Sequence, residues 1–420
     1  MTQTVKSTIT CDMEGRIETF NAGAEALFGY AADEVIGKTR ISRFSPGLTV
    51  LQNVPGWLAT AVASGKWEGE TVFLRKDGSR FPARIRITPT KRDGVQIGYC
   101  GVTEELPASE LDRVEPVIRP FTKAFAAIVI TRAPFLSASL IPVLVGAAYA
   151  AGLGAVNWAA FVLALVGAAA VHVAANTWND LYDWRAGVDQ ANNDYFLPYS
   201  GGSRAIELGL VSEGGLMRIA IGALVVALLA GLGIAALGVP AILPLGLVGA
   251  AIAWTYTAPP LRLVARHGAG EFLIGAAFGP LITFGTAIAM TGGATIDAAL
   301  VGIPVGLLTT AILWINEFPD AASDRLTGKL NLVVTMGLAR ARYGYAALML
   351  GAFGGTVALI AAGIAPAAAA VALLTAPMAF SATRRLFREY EARSLVKSNS
   401  GTIALQGLFG LLFAIGVAIG

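Results

Sequence analysis

Residues 158–183 read WAAFVLALVGAAAVHVAANTWNDLYD, an apolar run that ends in a first acidic cluster, Asn179-Asp180-Leu181-Tyr182-Asp183, with Asp189 beyond it. Another apolar run ends in a second acidic cluster, Asn316-Glu317-Phe318-Pro319-Asp320 with Asp324. A helix of about 20 apolar residues is long enough to cross the hydrocarbon core of a bilayer. Carboxylates at a membrane interface are energetically costly and are usually functional. The two runs therefore predict membrane helices that carry acidic groups to a bilayer surface.

The composition supports an integral membrane protein. The chain has 420 residues, of which 55% are hydrophobic and 14% are charged, and this excludes an ordinary soluble protein. Residues 1–100 contain no apolar run of spanning length, so we expect a soluble domain before the membrane part. Residues 1–30 lack the basic start and apolar core of a signal peptide. Cys11 and Cys100 suggest neither a disulfide framework nor a zinc site, and we expect no nucleic-acid partner.

Apolar runs and basic loops alternate after residue 121. We predict nine transmembrane helices, near residues 134–153, 158–178, 216–237, 239–256, 270–291, 298–316, 341–362, 364–383 and 401–419. The Lys and Arg residues after the first helix start fall in every second loop, at positions 185, 204, 218, 262, 266, 325, 329, 340, 342, 384, 385, 388, 393 and 397. By the positive-inside rule, those loops, the N-terminal domain and both acidic clusters are cytoplasmic and the C-terminus is outside a bacterial-type inner membrane.

The polar residues at the ends of the two runs recur at helical spacing. His172, Asn176, Asn179/Asp180 and Asp183 share one helix face, and Asn316, Asp320 and Asp324 share another. Two such faces set opposite each other would form a cage of hard oxygen ligands, which suits Mg²⁺ completed by substrate phosphates. The alternative is that the acids are solvated helix ends that balance the basic loops.

Basic residues in Gly-rich or Pro-rich loops accompany the acidic clusters. Arg204 ends Gly201-Gly202-Ser203-Arg204, Arg262 ends Tyr256-Thr257-Ala258-Pro259-Pro260-Leu261-Arg262, and Lys329 follows Asp324. Gly-rich turns expose backbone N–H groups, and Arg or Lys neutralises phosphate oxygens. This combination favours a site for a diphosphate.

At these residues, roughly over 125–420, the chain resembles the UbiA superfamily of membrane prenyltransferases. The family's first motif matches Asn179, Asp180, Asp183 and Asp189, and its second matches Asn316, Asp320 and Asp324, with Asn in place of the first Asp. Gly187-Val188-Asp189, Gly201-Gly202-Ser203-Arg204 and Gly328-Lys329 resemble the 1,4-dihydroxy-2-naphthoate (MenA-type) branch of menaquinone synthesis. The other acceptors that the family offers are 4-hydroxybenzoate, haem, chlorophyllide and glycerol lipids.

The resemblance implies an all-α membrane domain around a central cavity and a Mg²⁺-dependent transfer of a polyprenyl group from an allylic diphosphate to an aromatic acceptor. It implies catalytic roles for Asp180, Asp183, Asp320 and Asp324, and metal ligation by Asn179, Asp183, Asn316, Asp320 and Asp324. Arg204, Tyr256, Arg262 and Lys329 are the candidates for the diphosphate. Arg132, Asp189 and His172 are the candidates for the acceptor, although Arg132 is also explained as a positive-inside anchor and His172 as a hydrogen-bonded buried histidine.

The N-terminal part reads as an α+β domain. A short strand Ile17-Glu18-Thr19-Phe20 precedes a helical run over 22–29, and Lys76-Asp77-Gly78-Ser79 predicts a hairpin turn between strands at 71–74 and 81–85. A last strand is expected at 98–102. The run Phe20–Tyr30 with Glu34-Val35-Ile36-Gly37, together with Arg75-Lys76-Asp77-Gly78, resembles PAS sensor domains over about 8–104. The ligand is unknown, and self-association through this domain is an option.

We therefore predict a PAS-like domain at 1–107, a linker and interfacial helix at 108–130, and a prenyltransferase domain at 131–420. We expect the PAS-like part to tune or localise the transferase. The rival hypothesis is a membrane receptor or transporter in which the acidic clusters bind a cation. Transport predicts polar groups near the bilayer midplane, whereas here the acids gather at one face.

Overall fold

The structure is a computed structural model that describes residues 6–192 and 200–420. It divides into two compact units. Unit 1 comprises residues 1–130 with 204–212, and unit 2 comprises residues 131–203 with 213–420. The residues outside the described ranges are 1–5 and 193–199.

Unit 1 is built on one antiparallel sheet of five strands. These are β1 (Ser7–Asp12), β2 (Ile17–Phe20), β3 (Trp67–Leu74), β4 (Arg80–Arg92) and β5 (Val95–Glu105), in the spatial order β2-β1-β5-β4-β3. The turn at Lys76–Ser79 joins β3 to β4 in a register that pairs Phe73 with Phe81. The predicted strands and the predicted hairpin are confirmed.

Five helices accompany this sheet; the first four pack against its strands, and an aromatic core lies between them and the sheet. They are α1 (Ala22–Phe28), α2 (Ala32–Val35), α3 (Gly47–Ser64), α4 (Leu111–Val114) and α5 (Pro120–Thr131). Asn21 caps α1 by accepting from the backbone N–H of Ala24 at 2.8 Å, and Gly29 ends it in the left-handed conformation. The rings of Phe28 and Phe44 lie 4.5 Å apart at the centre of the core.

Unit 2 is helical. Its helices are α6 (Ser137–Gly152), α7 (Trp158–Arg185), α8 (Val188–Ala191), α9 (Glu213–Ala236), α10 (Ile242–Thr257), α11 (Ala269–Ala276), α12 (Ile282–Thr291), α13 (Ile296–Val301), α14 (Ile303–Leu326), α15 (Leu332–Met336), α16 (Leu338–Ala361), α17 (Ala376–Glu389) and α18 (Val396–Ile419). A π-helical segment, Ala277–Leu281, joins α11 to α12, and a 3₁₀ segment, Ala367–Thr375, leads into α17.

Eight helical segments in the described ranges are long and apolar enough to cross a membrane. They coincide with eight of the nine predicted spans. The ninth predicted span, near 239–256, corresponds to α10, whose 16 residues measure about 24 Å at 1.5 Å per residue. This is shorter than the roughly 30 Å of a hydrocarbon core, so α10 falls below the length of an ordinary span.

Glycines allow two of the membrane helices to touch backbone to backbone. A Cβ placed on Gly279, between α11 and α12, would lie 2.5 Å from the carbonyl oxygen of Gly302 and 2.7 Å from Cα of Gly306. Gly275 and Gly279 on one segment and Gly302 and Gly306 on the other repeat the spacing of four residues that lets membrane helices approach closely. This contact holds α14, which carries the second acidic cluster, against the α11–α12 segment.

Candidate active site

The first acidic cluster lies in the last two turns of α7. The side-chain amide of Asn179 donates to Oδ2 of Asp183 at 3.0 Å, one turn further along the helix. Asn176, a turn earlier, donates to the carbonyl oxygen of Thr131 at 3.3 Å. Asn176, Asn179 and Asp183 therefore follow one another along α7 at intervals of about one helical turn, as expected from their spacing.

Asp180 is 3% exposed and faces the loop that precedes Arg204. Its Oδ1 accepts from the backbone N–H of Ser203 at 3.2 Å and lies 3.7 Å from Nη1 of Arg132. Gly202 has φ 74°, and a Cβ on it would lie 3.0 Å from Oδ1 of Asp180 and 3.4 Å from Oδ1 of Asp189. Glycine is therefore required both for the backbone conformation and for the close approach of two carboxylates.

The second acidic cluster lies near the end of α14. Asp320 accepts from the side-chain amide of Asn192 at 2.7 Å and from the backbone N–H of Gly201 at 3.1 Å. Asp324 accepts from the side-chain amide of Asn331 at 2.9 Å. Each carboxylate is thus oriented by an amide from a different part of the chain.

Two bridges bring the clusters together. Nζ of Lys329 lies 3.1 Å from Oδ2 of Asp183 and 3.8 Å from Oδ1 of Asp324, so the two carboxylates face each other across one ammonium group. The loop Gly201–Ser203 forms the second bridge, because one of its N–H groups binds Asp320 and another binds Asp180. Burial acts to lower the pKa of Lys329, but the neighbouring carboxylates Asp183 and Asp324 outweigh it and raise the pKa well above its usual value.

The donor set suits a hard divalent cation. Within residues 6–192 and 200–420, no three His, Cys, Asp or Glu side chains are grouped closely enough to hold a metal ion. In the same ranges, Oδ2 of Asp180 and Oδ1 of Asp324 are buried without a hydrogen-bond partner. Mg²⁺ is commonly held by one or two carboxylates with substrate phosphates and water, so these oxygens fit such an ion. The predicted ligand set of Asn179, Asp183, Asn316, Asp320 and Asp324 stays a prediction.

Asn316, the variant residue of the second motif, is engaged elsewhere. Its Oδ1 accepts from the side-chain amide of Asn399 on α18 at 2.7 Å, and the same amide also donates to the carbonyl oxygen of Ile315 at 3.1 Å. Oδ1 of Asn316 would have to release this hydrogen bond before it could bind a metal ion.

The four diphosphate candidates differ in their surroundings. Lys329 already contacts both clusters, and Tyr256 is buried and lines the cavity described below. Arg262 has φ 43°, and its Nη2 is buried without a hydrogen-bond partner among the described residues. Arg204 belongs to unit 1, where its guanidinium is paired with Glu207 at 3.0 Å. The structure therefore brings Lys329 to the acids and gives Arg204 a different ionic partner.

The acceptor candidates have different neighbours. Arg132 pairs with Asp180, and Asp189 of α8 lies beside Gly202. His172 is buried about two turns before Asn179 on α7, with Nδ1 at 2.6 Å from Oγ of Ser139 and its ring 5.0 Å from that of Phe278. That bond agrees with the reading of His172 as a hydrogen-bonded buried histidine.

Several polar residues around the site are not predicted from the sequence. Asn192, Asn331 and Asn399 donate to motif residues, and no periodic pattern singles them out. Glu271 and Glu317 are also buried, and Glu271 accepts from the backbone N–H of Leu332 at 2.5 Å. An acidic residue within an apolar helix is itself a signal of function or structure, and that signal would have identified Glu271.

A cavity of about 650 Å³ adjoins the motifs, and we call it the membrane cavity. One end is polar and is lined by Arg132, Asn176, Asn179, Tyr256 and Asn316. The remainder is almost entirely apolar and lies among α7, α9, α10, the α11–α12 segment and α14. Polar side chains therefore lie next to an apolar cavity, the combination that is typical of a ligand site.

Sequence comparison finds two families. The model of the UbiA prenyltransferase family matches residues 139–406, and the model of the PAS domain matches residues 5–104. The chain is 27% identical over 290 residues to the 1,4-dihydroxy-2-naphthoate octaprenyltransferase of Bacillus subtilis, an alignment that covers 69% of this chain and 91% of that protein. Both resemblances noted from the motifs are confirmed.

Structural comparison agrees with the fold. The apo structure of a UbiA homologue from Aeropyrum pernix superposes with a TM-score of 0.55 at 19% identity, covering 68% of this chain and 98% of that one. A UbiA homologue from Archaeoglobus fulgidus bound to GPP and Mg²⁺ gives a TM-score of 0.50 at 17% identity, covering 70% and 99%. At these identities the likeness concerns the fold of the membrane helices.

Proposed function

The chain belongs to the UbiA prenyltransferase family, and from this premise we propose that it transfers a polyprenyl group from an allylic polyprenyl diphosphate to an aromatic acceptor. The first candidate acceptor is 1,4-dihydroxy-2-naphthoate or a related quinone precursor, because the chain aligns over most of its length with an enzyme named for that substrate. With this acceptor, the protein would act in the synthesis of isoprenoid quinones such as menaquinone.

One observation carries the proposal. Two carboxylate clusters are joined by Lys329 and by the Gly201–Ser203 loop. The clusters adjoin an apolar cavity of about 650 Å³ through Asn179 and Asn316, which line it. A prenyl diphosphate has the same two-part chemistry, an anionic head and a long apolar tail. Solvated helix ends would not require buried carboxylates, and Asp324 is 1% exposed.

The metal set would be Asn179, Asp183, Asn316, Asp320 and Asp324, and the catalytic set would be Asp180, Asp183, Asp320 and Asp324. A bound Mg²⁺ would neutralise the diphosphate as negative charge develops on the departing oxygen. That the related structure from Archaeoglobus fulgidus contains GPP and Mg²⁺ supports this choice of metal. Asn192, Asn331 and the N–H groups of the loop would hold the carboxylates in place by the bonds described above.

Lys329, Tyr256, Arg262 and Arg204 would bind the diphosphate oxygens. The ammonium of Lys329, a compact charge on a flexible side chain, would turn partly away from the carboxylates and bind a phosphate oxygen. Arg262 has an unpartnered buried nitrogen among the described residues, which would suit a phosphate oxygen. Arg204 would first have to leave Glu207.

The reaction balances without an enzyme nucleophile. The allylic C–O bond breaks and its electron pair leaves with the diphosphate, while an electron-rich ring carbon of the acceptor forms the new C–C bond. The ring then loses a proton, or CO₂ from dihydroxynaphthoate, and becomes aromatic again. The apolar walls of the membrane cavity would exclude water from the electron-poor allyl group. Arg132, Asp189 and His172 would bind the acceptor.

The chain is a multi-pass membrane protein, and we propose the finer arrangement as follows. Nine spans, with α10 as the short one, would surround a central cavity. The motifs and the N-terminal domain would be cytoplasmic in a bacterial-type inner membrane, and the C-terminus would be outside. The boundaries 1–107, 108–130 and 131–420 would separate the PAS domain, the linker with its interfacial helix, and the transferase.

We also propose that the PAS domain regulates the transferase. Residues 204–212 belong to unit 1, and a Cβ placed on Gly47, the first residue of α3, would lie 2.0 Å from the carbonyl oxygen of Leu208. The same loop begins with Gly201–Ser203, whose N–H groups bind Asp320 and Asp180. Because the backbone is continuous from Leu208 to Gly201–Ser203, a displacement of residues 204–212 at α3 would be transmitted along the chain to the active site. Self-association of the PAS domain would be a second means of control.

The test is a transfer assay with the purified full chain. Labelled geranylgeranyl and longer prenyl diphosphates are incubated with and without Mg²⁺ in the presence of dihydroxynaphthoate, 4-hydroxybenzoate or haem. We expect Mg²⁺-dependent prenylation of dihydroxynaphthoate. Prenylation of another acceptor alone would reassign the substrate, and cation flux across vesicles without any prenylated product would favour a transporter.

A further inference from the structure

Glu271 is a buried carboxylate that belongs to neither acidic cluster. It lies in the first turn of α11, is 3% exposed and precedes the apolar residues of a membrane helix, where a buried acid is energetically costly. Its Oε1 accepts from the backbone N–H of Leu332 at 2.5 Å. Among the described residues, its Oε2 is buried without a hydrogen-bond partner. The bond to Leu332 therefore connects this carboxylate to the loop that follows the second acidic cluster.

The loop that Glu271 contacts carries Lys329. The backbone N–H of Lys329 donates to the carbonyl oxygen of Asp324 at 2.8 Å, and its ammonium joins the two clusters as described above. Asn331 donates to Asp324 and caps α15, and Leu332 is the first residue of that helix. Because Leu332 comes only three residues after Lys329, the position of Leu332 limits where the ammonium can lie.

The segment directly before Glu271 packs against the same loop. The backbone N–H of His267 donates to the carbonyl oxygen of Leu330 at 2.9 Å. Gly268 has φ 105°, and a Cβ placed on it would lie 3.1 Å from a methyl carbon of Leu332. Glycine therefore allows both the left-handed backbone and the close approach of the leucine side chain. The loop is held by a backbone bond at Leu330 and by the Glu271 carboxylate at Leu332.

This segment also supports the loop that carries Arg262, another candidate for the diphosphate. Nε of Arg266 donates to the carbonyl oxygen of Leu261 at 3.0 Å, and its Nη2 donates to that of Pro260 at 3.3 Å. The backbone of Arg266 also bridges to the loop that carries Lys329. The loops of Arg262 and Lys329 are therefore joined directly before α11 begins.

We propose that Glu271 is a positioning residue for the diphosphate site: by binding the N–H of Leu332, it fixes the loop that carries Lys329. This inference rests on the proposed function and adds to it a residue that acts through another side chain. Without the acceptor oxygen of Glu271, the start of α15 would be released from α11, and the ammonium of Lys329 would shift relative to Asp183 and Asp324. A misplacement of about 1 Å costs about 100-fold in rate, and the flexible lysine side chain compensates part of it, so we expect about tenfold.

The experiment measures the Kd of a labelled, unreactive geranylgeranyl diphosphate analogue for the full chain with Mg²⁺. Glu271→Leu removes the acceptor oxygen and should raise the Kd about tenfold. Glu271→Gln keeps a side-chain oxygen for the N–H of Leu332 and should recover most of the affinity. Thr310→Val is the matched control, because Thr310 contacts only the backbone carbonyl of Glu271, at 3.4 Å, and does not line the membrane cavity. The control should keep the wild-type Kd.

A double-mutant cycle with Lys329→Met separates positioning from a merely structural role. If Glu271 acts through Lys329, Glu271→Leu should change the Kd little in the Lys329→Met background, because the ammonium that it positions is absent. A structural role would give the same fold-increase in both backgrounds. In the transfer assay, Glu271→Leu should raise the KM for the prenyl donor and leave the KM for the acceptor unchanged.

Thermal unfolding shows whether each variant is folded. Glu271→Met, whose flexible side chain fills irregular space, takes the place of Glu271→Leu if the latter does not fold. A wild-type Kd for the folded variant, or equal fold-increases in the two backgrounds, would overturn the inference alone. Failure of the wild-type chain to bind any prenyl diphosphate with Mg²⁺ would overturn the proposed function and this inference with it.

Discussion

Replacing Lys329 with methionine should destabilise the protein and make its stability depend on magnesium. The ammonium of Lys329 is shared by Asp183 at 3.1 Å and Asp324 at 3.8 Å, and the three side chains are only 12%, 9% and 2% exposed. Methionine keeps most of the length of the side chain but removes the charge. Breaking a buried ion pair by removing one partner costs about 3–5 kcal/mol, because the remaining charges are buried without compensation.

Magnesium should recover a large part of that loss. In Lys329→Met the two carboxylates would lose the ammonium that neutralises them, and Mg²⁺, which prefers oxygen ligands, would compensate their charge. At a magnesium concentration 100 times the Kd, binding to the folded state alone adds about 2.7 kcal/mol. The wild-type protein should respond less to magnesium without diphosphate, because its own ammonium already neutralises the carboxylates.

The assay is thermal unfolding of both proteins in detergent, followed by tryptophan fluorescence, with EDTA or with magnesium. Lys397→Met is the control, since Lys397 is an exposed lysine at the start of α18. Equal unfolding temperatures of wild type and Lys329→Met in EDTA would refute the claim that the ammonium joins the clusters. Equal responses of the two proteins to magnesium would refute the claim that the carboxylates form a cation site.

Three further predictions follow from other parts of the molecule. Gly47→Ala should displace the loop at Leu208 and lower the transfer rate about tenfold or more, as misplacement of catalytic groups does. Gly56→Ala in the same helix has open space at Cβ and should keep the wild-type rate. Equal rates of the two variants would exclude the proposed coupling. Burial raises the pKa of the Cys11 thiol to about 12 from 9.0, so iodoacetamide should alkylate it negligibly in the folded protein below about pH 9. The free energy of unfolding should fall as the pH rises from about 9 towards 12, because only the unfolded thiol ionises in that range. Rapid alkylation at pH 8, measured by mass spectrometry, would contradict this. A cysteine added at the C-terminus should react with a membrane-impermeant reagent in intact cells, and reaction only after permeabilisation would mean an even number of spans.

Local patterns were sufficient to predict most of the regular structure. The hairpin at Lys76–Ser79 has a turn sequence that few other conformations accept, and its strands appear as expected. Helix α3 was not predicted, because Pro55 and Gly56 interrupt its sequence and its stability comes from packing on the sheet. Helix α10 has the composition of a membrane span. Its length depends on its bounds, since it begins after Pro240 and ends before Ala258, and composition does not determine these bounds.

The candidate site was partly predictable for a similar reason. The spacing of Asp180 and Asp183, and of Asp320 and Asp324, is a property of single helices and can be read along the chain. The contacts that join the clusters are long-range, such as the bond between Lys329 and Asp183, and depend on how the helices pack. The same holds for Asn399, which lies far along the chain from Asn316 and binds it across α14 and α18.

We propose that both acidic clusters act on one diphosphate. Equilibrium binding tests this: a labelled, unreactive prenyl diphosphate analogue is bound to the wild-type chain, Asp183→Ala and Asp320→Ala, with and without Mg²⁺. We predict tight binding by the wild type only with Mg²⁺ and a loss of that Mg²⁺-dependent binding in both variants while each remains folded. Wild-type binding by either folded variant would contradict it.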